Sequence, residues 1–269
     1  MIAEPYWRSH VKVLRSGRLE WYGEEPSEDF WAELWRQRLA GSYFADADRG
    51  DLRDLENVLV PNLDREGSHL EAGCGAGYWV AALAARGYRV EGVESSKLLV
   101  DAVLEIRPDL PVRHGDALAL DYPDGHFAGY LSFGVVEHRR EGPHPFLAEA
   151  RRLLRPGGRL VISVPFLNPL RRAKARLGLY APAPPADGRP FFQYGFGEEE
   201  MAGLLQEHGF TLDEVHHHEV QRCLVEELPL FFRLNRMRGG GVLRRRAVPL
   251  VPPRLAAHLL LLVGTRNGG

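Results

Sequence analysis

From Ser68 to Val164, two kinds of apolar pattern alternate along the chain. His69–Ala72, Tyr88–Val93, Val112–His114, Tyr130–Phe133 and Arg159–Val164 are short apolar runs of strand character. Between them, Tyr78–Arg86, Lys97–Arg107 and Pro145–Leu154 carry apolar residues at helical spacing. Gly87 stands where a helix C-terminal glycine belongs, and Arg155-Pro156-Gly157-Gly158 suits a type II turn. Such a β-α-β-α series predicts a parallel sheet with helices on both faces.

The flanks are less regular. Val11, Val13, Leu19 and Trp21 alternate with polar residues around Ser16-Gly17, which predicts a hairpin. Ser27 caps a helix whose stripe is Phe30, Trp31, Leu34, Trp35 and Leu39, and Asp51–Leu59 predicts a second helix. These aromatics either pack on the domain behind them or close over a site. Downstream, Glu198–His208 is helical, Phe210–Val220 is a strand and Ala257–Thr265 is a final apolar strand. Asn168–Pro190 and Cys223–Arg254 read as irregular insertions. The expected division is a cap over 1–66 and a core over 67–269, interrupted by lid insertions at about 166–197 and 222–256.

Composition narrows this little. The 269 residues are 45% hydrophobic and 26% charged, as in ordinary globular proteins. A net charge of −2 gives no global attraction to nucleic acid. Met1-Ile2-Ala3-Glu4-Pro5 lacks a signal peptide's basic start and apolar stretch, and the run Leu259–Val263 is too short to span a bilayer. Two cysteines, Cys74 and Cys223, make no disulfide framework, so a reducing cytoplasm is the expected compartment.

The chemistry begins after the first parallel strand, at Glu71-Ala72-Gly73-Cys74-Gly75-Ala76-Gly77. Glycines there let the backbone turn tightly beside a ligand, and the next helix directs free N–H groups at it. A dinucleotide fold wants its third glycine at position 78, which is Tyr78. Glu71 would repel a pyrophosphate but favour the ammonium and sulfonium of S-adenosylmethionine. Glu94 ends the second strand, where a carboxylate can accept from both ribose hydroxyls, although a nicotinamide cofactor also has a ribose.

With these residues in place, the sequence resembles the class I S-adenosylmethionine-dependent methyltransferases, in the small-molecule branch that includes ubiquinone-pathway enzymes. Further matching segments follow in order: Gly115-Asp116-Ala117, Ser132-Phe133-Gly134-Val135-Val136-Glu137-His138, and Leu153-Leu154-Arg155-Pro156-Gly157-Gly158-Arg159-Leu160. The match is good over about residues 68–165 and fades outside them. Ala128 stands where the family often has aspartate. The resemblance implies a Rossmann-like α/β fold, a seven-stranded mixed sheet in the order 3-2-1-4-5-7-6 with strand 7 antiparallel. It implies a cofactor site at Glu71, Gly73, Cys74, Gly75, Gly77, Glu94, Ser95, Asp116, Ala117, Phe133 and Gly134. The implied reaction is methyl transfer to a small-molecule acceptor, with oxygen the expected atom and S-adenosylhomocysteine the product.

His138, just past the fourth strand of the series, is the candidate general base; the plainer reading is a histidine that tethers its loop. His216 and His218 share a strand face, but without a third ligand no metal site is expected. Cys74 fits the loop by its small size. Leu167–Pro190 sets Arg171, Arg172, Lys174, Arg176 and Arg189 against Asp187. Cys223–Arg254 sets seven arginines against Glu226 and Glu227. These insertions read as a basic acceptor lid, as a peripheral membrane contact through 223–254, or as a solvated surface. No nucleic-acid partner is expected, because the Asn/Asp-Pro-Pro-Tyr/Phe motif of amino-methylating enzymes is absent after strand 4. A non-catalytic cofactor-binding protein and a nicotinamide-dependent dehydrogenase remain as alternatives, and oligomeric state is not readable.

Overall fold

The computed structural model describes residues 10–23, 39, 42–236 and 247–268, the side chains of 234–236 excepted. Seven strands form the central sheet: β3 (Ser68–Ala72), β4 (Arg89–Glu94), β5 (Val112–His114), β6 (Phe127–Phe133), β7 (Leu154–Pro165), β9 (Phe210–His218) and β10 (Leu259–Arg266). Their spatial order is β5-β4-β3-β6-β7-β10-β9. The first five pair in parallel, and β10 runs antiparallel to both β7 and β9. This is the predicted order, with the final apolar strand inserted as the antiparallel one.

Both sheet faces are covered, which explains the unbroken apolar runs in β6 and β10. Leu160, Ile162, Leu260 and Leu262 face one core with α4 (His144–Leu153) and α6 (Glu198–Glu207). Val161, Leu261 and Val263 face the other, with α2 (Tyr78–Ala85) and α3 (Lys97–Ile106). Period-two alternation thus splits each strand between two cores. Ser96 caps α3 by accepting from the Leu99 amide at 3.2 Å. Gly87, with φ +83°, ends the α2 turn as predicted.

The hairpin also forms, as β1 (Val11–Arg15) and β2 (Arg18–Tyr22). Ser16 and Gly17 both have positive φ, the signature of a type I′ turn. The hairpin does not stand alone: β2 pairs antiparallel with β8 (Phe191–Gly195), a strand absent from the elements that the sequence predicts. The aromatic-rich Phe191-Phe192-Gln193-Tyr194 carried the signal. A three-stranded roof therefore joins the N-terminal segment to the first insertion.

Two expectations need correction. Asp51–Leu59 is not one helix: a 3-10 turn at Arg53–Leu55 precedes α1 (Glu56–Asn62). The insertions contain regular helices, α5 (Pro169–Arg176), α7 (Val220–Glu227), α8 (Pro229–Arg236) and the short α9 (Pro253–Ala256). Pro229 breaks the stripe of Cys223, Leu224, Leu228 and Phe231, yet proline is tolerated in a helix's first turn. The helix expected from Ser27 falls outside the described residues except for Leu39, which is buried.

Candidate active site

The glycine loop links β3 to α2. Gly73, Gly75 and Gly77 all have positive φ. A Cβ on Gly73 would stand 2.4 Å from Val135 Cγ2, so the loop after β6 packs directly on this glycine. The amides of Gly73 and Cys74 both donate to the Val93 carbonyl, at 2.8 and 3.0 Å. Glu94 completes the cradle from β4. Its carboxylate accepts from the Gly75 amide at 3.0 Å, the Ser96 amide at 3.0 Å and the Ser95 hydroxyl at 3.1 Å.

Glu71 lies buried near the loop, and its Oε2 has no hydrogen-bond partner among the described residues. Burial raises its pKa well above the ordinary carboxylate value; the Val80 amide opposes that rise, and nearby Glu94 adds to it. An orphaned buried acceptor beside a glycine cradle fits a ligand that brings a cation. The same burial, with Glu71 and Glu94 close by, pushes the Cys74 thiol up, so it is a small neutral side chain and not a reactive thiolate. Asp116 is exposed and accepts from the Leu118 amide at 3.0 Å, while Ala117 is buried beside it.

Phe133 and Gly134, at the end of β6, open onto a cavity of about 300 Å³. Trp79, the second residue of α2, meets Phe133 edge to face at 5.9 Å. Ser163 and Pro165 of β7 and Leu259 and Leu261 of β10 form further walls. Phe192 and Gln193 come from the roof strand, and Arg222 comes from α7. The cavity thus sits over the carboxyl ends of the parallel strands, where open α/β sheets bind ligands.

His138 and Glu137 share the 3-10 turn Val136–His138, and both line the cavity. His138 Nδ1 lies 2.9 Å from the Phe192 carbonyl. A carbonyl only accepts, so Nδ1 carries the proton and the neutral ring keeps its lone pair on Nε2. Burial lowers the His138 pKa, with the Phe192 bond acting the other way. Glu137 Oε1 lies 4.0 Å from that Nε2, and Glu137 Oε2 is buried without a partner among the described residues. Burial raises the Glu137 pKa to about 8. Glu137 stands within the segment Ser132–His138, but no local pattern marks it as a site residue, because only the 3-10 turn brings both neighbours to the cavity.

Glu137 should make stability depend on pH. Its folded pKa lies above the unfolded value, so stability is fullest below about pH 4.5 and falls as pH rises toward about 8. Glu137→Gln cannot ionise. The variant should be more stable than the parent by about 2–4 kcal/mol near pH 8, and similar near pH 4. Denaturant titrations at the two pH values check this; equal differences at both would refute it.

The three consecutive histidines are divided among separate acids. His216 Nε2 lies 2.7 Å from Glu214, His217 Nε2 lies 3.4 Å from Glu198, and His218 Nδ1 lies 3.0 Å from Asp54. They do not converge on one point. His218 lines the cavity.

Comparison with known proteins agrees with this geometry. A family profile described as "Methyltransferase domain" matches residues 44–215. A Mycolicibacterium smegmatis protein named "Probable S-adenosylmethionine-dependent methyltransferase" is 30% identical over 145 residues, covering 54% of this chain and 52% of that protein. A Mycobacterium tuberculosis protein similarly named is 26% identical over 195 residues, covering 71% of this chain and 65% of that one. The chain therefore spans about half to two-thirds of these relatives' lengths. Among solved structures, the methyltransferase bound to the Trm112 activator of Haloferax volcanii superposes with a TM-score of 0.57 at 17% identity. That match covers 90% of this chain and 99% of that one, and it is a likeness of fold.

Proposed function

The chain belongs to the methyltransferase-domain family, and from that premise we propose that it transfers a methyl group from S-adenosylmethionine to a hydroxyl of a small molecule held in the cavity, leaving S-adenosylhomocysteine. The observation that carries this reading is the placement of His138. Its Nδ1 is committed to the Phe192 carbonyl, and the ring borders the same cavity as Phe133 and Gly134.

Bound S-adenosylmethionine supplies a sulfonium methyl open to in-line displacement. Glu94, Ser95, Gly73, Cys74, Gly75 and Gly77 would hold its ribose and amino-acid portions, with Glu71 beneath and Asp116 and Ala117 near the adenine. The protein's part is to fix the acceptor in line and exclude water. Phe192 and Gln193 of the roof cover the cavity, and Trp79 and Phe133 offer an apolar corner to an acceptor. Nε2 of His138 takes the hydroxyl proton as the oxygen attacks. With its pKa lowered, the ring is unprotonated at neutral pH and ready to accept.

Calorimetry tests the cofactor half. The chain should bind S-adenosylmethionine and S-adenosylhomocysteine but not a nicotinamide dinucleotide. Glu94→Ala should weaken binding by about 1–3 kcal/mol through lost hydrogen bonds. Binding of the dinucleotide alone would overturn the reading, and an unchanged affinity would remove Glu94 from the site. Release of S-adenosylhomocysteine with a panel of hydroxylated small molecules tests the acceptor half.

A further inference from the structure

The two insertions are joined into one helical group. Helix α9 packs on both α5 and α7, and α7 packs on α8. Their shared interior holds Cys223, Leu224 and Ala256, with Leu170, Leu228, Phe231, Val248 and Val251 against them. The acids of this group point inward: the side chains of Glu226 and Glu227 are buried and paired with Lys12 and Arg171.

What faces outward is different. Of the eight exposed large hydrophobic residues among those described, five belong to the two insertions: Leu177, Leu179, Leu230, Leu250 and Leu255. Leu177 is 73% exposed and Leu250 is 81% exposed, so neither serves the fold by burial. Arg172, Arg176, Arg233 and Arg254 are exposed in the same group. The sequence reinforces this polarity, since Leu167–Ala186 and Leu228–Asn267 contain no aspartate or glutamate.

We propose that this outer face docks on an anionic phospholipid surface, with the leucines entering the interface and the arginines meeting lipid headgroups. Exposed leucines beside exposed arginines, of which Arg254 also meets Glu198 at 3.6 Å, are the composition that interfacial binding requires. Each basic residue near such a surface strengthens the attraction to anionic headgroups. A second copy of the chain is disfavoured as occupant, because it would bring the same positive charge. Single-stranded nucleic acid is disfavoured because it needs exposed aromatic rings for stacking, and every exposed large hydrophobic among the described residues is aliphatic. No described helix is long and apolar enough to cross a membrane, so the contact is with the surface. The inference does not rest on the proposed methyl transfer.

Co-sedimentation of the full chain with vesicles tests it. Vesicles of phosphatidylcholine containing about 30% phosphatidylglycerol should carry the chain down, and phosphatidylcholine alone should not. Binding should fall when salt rises from about 50 to about 500 mM. The pair Leu230→Gln and Leu250→Gln should weaken partitioning by roughly tenfold. The pair Arg176→Gln and Arg233→Gln should weaken it on anionic vesicles by a similar factor of roughly ten. Circular dichroism confirms that each variant is folded, and the sites lie on the surface. Failure to bind anionic vesicles, equal binding to both vesicle types, or full retention of binding by the leucine variant would overturn the proposal. So would displacement from vesicles by an oligouridylate that binds the leucine variant undiminished, which would mark the face as a nucleic-acid surface.

Discussion

Arg171→Met should destabilise the protein by about 3–5 kcal/mol, enough to lower the melting temperature by many degrees. Arg171 is fully buried. Its guanidinium donates to Glu227 at 3.0 Å, to the Phe166 carbonyl at 2.7 Å and to Glu226 at 3.3 Å, and it contacts His258 Nδ1 at 2.8 Å. Methionine matches much of its volume but satisfies none of these groups. Breaking one member of a buried charged set costs more than the set contributes as a whole, because the remaining groups stay desolvated. Lys12 and Lys174 would still face the two glutamates, while the carbonyl and the imidazole would lose their donor.

The same cluster sets an acid limb of stability. Burial alone would raise the Glu227 pKa, but Lys12 and Arg171 override it and hold it at about 2. Glu226 is likewise held low against its burial, by Lys12, His258 and Arg171. A depressed folded pKa contributes stability that is present above about pH 4.5 and is lost as pH falls toward about 2. The parent should therefore lose stability steeply across that window, and Arg171→Met should lose less. Chemical denaturation of both proteins over that range decides it; parallel acid slopes would mean that the cluster is not coupled through Arg171.

His138→Gln should reduce turnover by about 10²- to 10⁴-fold with the true acceptor, while leaving S-adenosylmethionine affinity within about twofold. Glutamine can still bond to the Phe192 carbonyl, so the loop stays in place and only the proton acceptor is removed. The pH profile separates this role from tethering. In the parent, activity should rise as His138 loses its proton, through a pKa below the ordinary histidine value because of burial. In the variant that limb should vanish. Full turnover by His138→Gln would leave His138 as a tether for the roof strand and nothing more.

Several features were legible because they are local. Glycines at 73, 75 and 77 report a backbone needing positive φ, and Glu94 reports the end of a strand beside it; both facts sit within short stretches of chain. Strand and helix periods in the core were legible because helices cover both faces of the sheet, so apolar runs and stripes are unbroken. The roof was not legible. Strand β8 pairs with β2 across more than 160 residues of chain, a partnership no local period encodes. The helices of the second insertion were hidden by Pro229 and by glutamates that look solvent-facing in sequence but whose side chains are turned inward.

The sequence by itself determined the alternation of strands and helices, the glycine cradle and Glu94, since these depend on local periodicity, on backbone conformations that glycine favours and on short motifs, while the sheet order came only through the family resemblance that those motifs carry. Only the tertiary structure decided how the acceptor side is built. It placed Glu137 and His138 together on one cavity, bonded His138 to Phe192 from a distant strand, and buried Glu226 and Glu227 around Arg171. The physical reason is that charge state and side-chain direction there depend on desolvation and on partners far apart in the chain, which no single stretch of residues carries.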